Sequence, residues 1–168
     1  MYQTGQQVLY GGYGVCRITG IEDKSFGKTR KQYYALEAIA QPGTNFYVPV
    51  DNAAAVAKLR PLMSREALLE LLHSDAVRNH PWIADENQRK LRYRELIVSG
   101  DRAELLGTIG AIHRHRRIQA AAGRRLHQAD ENFLNDALKL LCAEFALVFD
   151  LTHQEVKGFI LRELENTH

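Results

Sequence analysis

The sequence contains no apolar run of about eighteen residues or more, so it offers no candidate for a membrane-spanning helix. It has two cysteines, Cys16 and Cys142, far apart in the chain. That excludes a disulfide framework and leaves a reduced, buried thiol as the expectation for each. Met1-Tyr2-Gln3-Thr4-Gly5 lacks the basic-then-apolar order of a signal peptide, and the expected location is the cytoplasm. Catalytic signatures are missing too. Gly11-Gly12-Tyr13-Gly14 is not followed by Gly-Lys-Ser/Thr and runs into a strand, so it reads as a turn and not a phosphate cradle. His113, His115 and His127 stand outside any Cys-x-x-Cys or His-Glu-x-x-His setting, and no Gly-x-Ser-x-Gly elbow occurs. The expectation is a protein that is not an enzyme and carries no metal and no cofactor.

Charge is also scarce in net terms, at +2, but it is unevenly spread. Residues 89–125 hold ten Lys/Arg against three Asp/Glu, whereas 61–88 hold two against five and 126–168 three against eight. A basic stretch between acidic ones is a local patch that the average conceals, and such a patch can meet phosphate.

Two periodicities divide the chain. Val8-Leu9-Tyr10, Gly14 to Ile21, Lys31 to Ile39 and Phe46 to Val50 are β-prone runs, separated by Gly11-Gly12, Phe26-Gly27-Lys28 and Gln41-Pro42-Gly43-Thr44. After Pro61 the spacing turns helical. Ser64 caps a helix with Leu68, Leu69 and Leu72 on one face, and His80-Pro81-Trp82 interrupts. A second helix runs from about Asp85 to Val98 with Tyr93, Leu96 and Ile97 inward. Asp101 and Glu104 have capping-box spacing before a third, with Leu105, Ile109 and Ile112. A fourth carries Leu134, Ala137, Leu138, Leu141, Phe145 and Val148. Thr152 and Glu155 open a fifth, with Val156, Phe159, Ile160 and Leu164. The expected fold class is α+β: a small, strongly bent antiparallel sheet or barrel over 1–60, then a compact all-α domain of about five helices over 61–168. Sixty residues bury little core, so the first part is marginally stable alone.

Val8-Leu9-Tyr10-Gly11-Gly12-Tyr13-Gly14-Val15, Ile21-Glu22, Tyr33-Tyr34-Ala35-Leu36 and Val48-Pro49-Val50-Asp51-Asn52-Ala53 together resemble the polymerase-interacting domain of the CarD/CdnL family, a domain shared with the much longer transcription-repair coupling factor. The last of these segments is the most specific. Leu59-Arg60, Ser99-Gly100-Asp101 and the helical run at 131–149 extend the likeness over most of the chain. The resemblance implies a Tudor-like barrel that binds the β subunit of bacterial RNA polymerase, and a helical domain that meets promoter DNA at the upstream edge of the bubble. DNA binding would be weak and indifferent to sequence, and would stabilise the open complex. It implies a cytoplasmic monomer that reaches the nucleoid through polymerase.

Along the same pattern, Lys24 falls at a basic polymerase contact. Tyr47, Val48 and Pro49 lie on the strand that completes that surface, with Tyr47 standing where some members have Arg. Trp82 corresponds to a minor-groove wedge, set about one helical turn further from Ser99-Gly100-Asp101 than the family places it. Arg89, Lys90, Arg92, Arg94, Arg114 and Arg117 are the candidate phosphate contacts, with Arg116, Arg124 and Arg125 nearby. Plainer readings stand beside these. Lys24 is a solvated lysine, Trp82 a core lid, and the arginines a solvated face or helix C-terminal charges. An adaptor without a DNA role is one alternative function. An RNA-binding Tudor-like module stacking bases on Tyr13, Tyr33 and Phe46 is another.

Overall fold

The computed structural model describes residues 1–166, and the last two positions of the expected helical domain lie outside the described residues. The chain divides into two compact units, Met1–Leu62 and the remainder from Met63.

The first unit is one antiparallel sheet of five strands: β1 (Gln7–Tyr10), β2 (Val15–Phe26), β3 (Thr29–Ala38), β4 (Asn45–Pro49) and β5 (Leu59–Pro61), in the order β4-β3-β2-β1-β5. A four-residue helix, α1 (Ala53–Val56), follows β4, and the Asn52 carboxamide oxygen caps it by accepting the Ala55 N–H. The β2–β3 hairpin closes in two residues, since Phe26 pairs with Thr29 and Gly27 takes φ 71°. Positive φ at this position costs glycine nothing. A bulge between Ile18 and Gly20 bends β2. Val8, Cys16, Ile18, Tyr34, Leu36, Val48 and Leu59 form the core on one face.

The expected barrel is corrected. The sheet is open, with β4 and β5 as separate edges. These strands are five and three residues long. Each ends in a proline, which has no N–H with which to extend a ladder. Strand β5 was not foreseen, because three residues carry no readable period.

The second unit is helical: α2 (Arg65–Leu72), α3 (Asp75–Arg78), α4 (Glu86–Ser99), α5 (Arg102–Ala121), α6 (Gln128–Val148) and α7 (His153–Glu165). The anticipated caps form. Ser64, Asp101 and Thr152 each accept the backbone N–H three residues on, and Ser74 and Asp85 do the same for α3 and α4. Gly100 ends α4 in the left-handed region. Helix α3 is additional to the expected five. Apolar stripes of all six helices meet in one core that includes Leu68, Val77, Leu96, Leu105, Ile109, Leu134, Phe145 and Ile160. Within α5, Gly107 lets α3 and its following loop come close, because a Cβ there would lie 2.5 Å from the His80 ring.

Candidate functional site

Strand alternation assigns the two faces of the sheet. Tyr34, Leu36 and Val48 point into the core, so the residues between them point the other way. Register brings Glu22, Tyr33 and Pro49 into one row, and Gly20, Ala35 and Tyr47 into the next; Lys24 sits opposite Lys31. On this outward face the Lys24 ammonium lies 3.7 Å from the centroid of the Tyr47 ring and 3.7 Å from a Glu22 carboxylate oxygen. Contact with Tyr47, and secondarily Glu22, holds the ammonium above its ordinary pKa. Lys24 and Tyr47 therefore form one amphipathic spot, a cation resting on an aromatic face.

The same strand supplies a free edge. Ala38 N–H donates to Thr44 O and Val50 N–H to Gln32 O, each at 3.0 Å. In an antiparallel ladder the bonded pairs alternate, so the main-chain groups of Phe46 and Val48 face β3 while those of Asn45 and Tyr47 face outward. Pro49 closes the run: it has no N–H, and its carbonyl accepts the Asn52 N–H at 3.3 Å. Val48 is a correction. Its side chain is buried opposite Tyr34, so it supports the strand and cannot touch a partner. The alternation already visible in the sequence sets Val48 on the opposite face from Tyr47 and could have separated them. Beside the edge, Tyr13 is 64% exposed and packs on Phe46 at 4.6 Å, with Tyr10 against both. Tyr33 packs edge-on against Phe26.

In the helical unit most of the candidate DNA contacts are already occupied. The Arg89 guanidinium is buried. It donates to both oxygens of the fully buried Asp130, at 2.7 and 3.2 Å, and to the Ile83 and Ala84 carbonyls. The Tyr93 hydroxyl donates to the same carboxylate at 2.6 Å, and burial raises the phenol pKa. Arg92 bridges Glu95 and Glu104 at 3.1 and 3.0 Å. The Glu104 carboxylate thus answers Arg92 and His80, and only its backbone N–H takes part in the cap on Asp101. Lys90 pairs with Glu86 at 2.6 Å, Arg116 with Glu131 at 2.7 Å and Arg117 with Glu165 at 3.3 Å. Arg114 donates to the His80 carbonyl. Arg94, Arg124 and Arg125 are exposed and have no ion pair among the described residues. The acidic stretches that flank the basic one in sequence fold against it and answer its charge.

Trp82 is half-buried in the loop before α4. His115 stacks on its ring at 3.9 Å and 13°, and the Arg89 guanidinium lies 4.5 Å from its centroid. The indole is thus packed onto the helical core. Desolvation lowers the His115 pKa, which favours a neutral ring in this stack. No group of three or more metal-ligating side chains occurs among the described residues. Among them, too, no helix is long and apolar enough to cross a membrane.

Residues 2–63 match the family model of the CarD-like/TRCF RID domain. A Bacillus subtilis protein bearing the name "Putative transcription factor YdeB" is 23% identical over 166 residues, covering 95% of this chain and 99% of its own length.

Proposed function

We propose, for a chain that belongs to the CarD-like family through its N-terminal domain, that it is a transcription regulator which binds the β subunit of RNA polymerase through β4 and the Lys24–Tyr47 face. The observation that carries this reading is a free strand edge within the matched domain, flanked by a cation and an exposed aromatic shoulder. Such an edge gains affinity from main-chain hydrogen bonds to an added strand, and flanking side chains give specificity. The regulator stabilises the open complex once polymerase has brought the helical unit to the promoter. Titration of purified RNA polymerase with the full chain tests the docking step. Lys24→Glu, which inverts the charge at a half-buried surface position, should weaken binding at least tenfold. Unchanged affinity would remove this face from the interface.

A second reading, an adaptor without a DNA role, is favoured by the packing of Trp82 and the internal pairing of Arg89, Arg92 and Arg116. Open-complex lifetime on one promoter separates the two. The full chain should lengthen it, whereas an adaptor bound to polymerase would leave it unchanged.

A further inference from the structure

A cavity of about 460 Å³ opens among α3, α5 and α7 of the helical unit. Its charged lining is three guanidiniums, Arg78, Arg114 and Arg117, with His113, against two carboxylates, Asp75 and Glu165. Glu165 is already engaged: His113 Nε2 lies 2.6 Å from it and Arg117 3.3 Å. Asp75 forms no ion pair among the described residues. Among the described residues Arg78 and Arg114 therefore have no carboxylate. Among the described residues Arg114 reaches only the His80 carbonyl, at 2.9 Å, and Arg78 only the carbonyl of Asn166. Arg78 Nε is buried with no acceptor among the described residues, and so is His113 Nδ1. Desolvation lowers the Arg114 pKa, although its side chain still reaches solvent, and no acid offsets that cost.

Gly110 provides room here. It sits in the interior of α5, where glycine weakens a helix, and a Cβ at this position would come within 3.2 Å of Arg114 Nη1 and 3.8 Å of Leu164. The volume is that of a small-molecule site, and no Phe, Tyr or Trp lines it.

We propose that this cavity binds a small phosphate-bearing anion, held between the Arg78 and Arg114 guanidiniums. A tetrahedral dianion presents several acceptor oxygens, which suits two forked donors that among the described residues reach only main-chain carbonyls. Glu165 pairs with His113 and Arg117, so an anion held by Arg78 and Arg114 need not displace it. Phosphate binding here requires neither polymerase docking nor a wedge role for Trp82.

The test is titration of the full chain with inorganic phosphate, followed by heteronuclear NMR, with chloride adjusted to hold ionic strength constant. Saturable shifts confined to α3, α5 and the end of α7 are expected, and Arg114→Gln should weaken them at least tenfold. If that variant fails to fold, Gly110→Ala serves instead: it keeps every charge, favours the helix, and should still weaken phosphate by crowding Arg114. A twenty-base-pair duplex gives the second arm. Absence of saturation by phosphate, or equal affinity in wild type and variants, would overturn the site. Loss of duplex binding in Arg114→Gln with phosphate binding unchanged would assign the cluster to DNA backbone and overturn it also.

Discussion

Arg89 decides whether the basic stretch is an exposed DNA face or part of the framework, and the two roles differ in energy. Its guanidinium is 5% exposed and Asp130 0%, with two charge-assisted hydrogen bonds between them. Asp130→Asn keeps the shape and an acceptor for Tyr93, but leaves the guanidinium buried without a counter-charge. Breaking such a pair costs about 3–5 kcal/mol. For a domain of about 100 residues each kcal/mol moves Tm by roughly 4–8 °C, so the variant should melt at least about 12 °C lower. Arg89→Met strands the Asp130 carboxylate and should lose a comparable amount. The double variant Arg89→Met/Asp130→Asn buries no charge and should recover most of either loss, a coupling of about 2 kcal/mol or more. Urea unfolding at pH 7, followed by helical circular dichroism, gives all four corners of the cycle, and a constant m-value keeps them comparable. Arg89→Met within about 1 kcal/mol of wild type, but with reduced affinity for duplex DNA, would refute the structural assignment.

Alkaline titration should expose Tyr93. Its folded pKa is raised above the ordinary value near 10, chiefly by burial and then by the bond to Asp130. The unfolded phenol therefore ionises first, so stability present below about pH 10 falls by about 1.4 kcal/mol per unit above it; Tyr93→Phe should remove that component of the slope in pH-dependent urea melts. Gly107→Ala should destabilise by about 1–3 kcal/mol despite better helix propensity, since the new methyl drives into the His80 ring; a rise in Tm would contradict this packing. Trp82→Ala should lower Tm, as loss of the contacts with His115 and Arg89 removes packing worth about 2 kcal/mol; if the indole also acts at promoters, open-complex lifetime will shorten at temperatures where the variant is fully folded.

Local physics made much of this legible. Ser64, Asp101 and Thr152 cap their helices because short polar side chains reach the N–H three residues on, a relation contained within four residues of sequence. The hairpin at Gly27 and the strands around it follow from turn residues and alternation in the same way. What escaped was either too short or too far apart. Strand β5 and helix α3, at three and four residues, show no period. Arg89 and Asp130 are 41 positions apart, and Arg102 and Glu144 are 42 apart. Nothing in a linear charge profile distinguishes a guanidinium awaiting phosphate from one already holding a buried carboxylate. Closure of the sheet was likewise a non-local matter, since it depends on whether β4 and β5, the first and last strands of the sheet order, pair with each other.

Internal pairing also limits how strongly the helical unit can hold DNA by itself. Of the ten basic residues between 89 and 125, Arg89, Lys90, Arg92, Arg102, Arg116 and Arg117 have carboxylate partners and Arg114 a carbonyl, which leaves Arg94, Arg124 and Arg125 exposed. Three phosphate contacts give a slope of log K on log salt of about −3, and roughly fortyfold weaker binding between 50 and 200 mM; ten would give about −9 and a loss on the order of 10⁵. Duplex binding by the full chain, measured across that salt range, should follow the shallow line. A slope steeper than about −6 would mean that the ion pairs open on DNA and that the acidic segments act as displaceable covers. With the shallow slope, the proposed promoter role would depend on tethering, because a chain held on polymerase would meet the promoter at an effective concentration in the millimolar range, where weak unspecific contacts suffice.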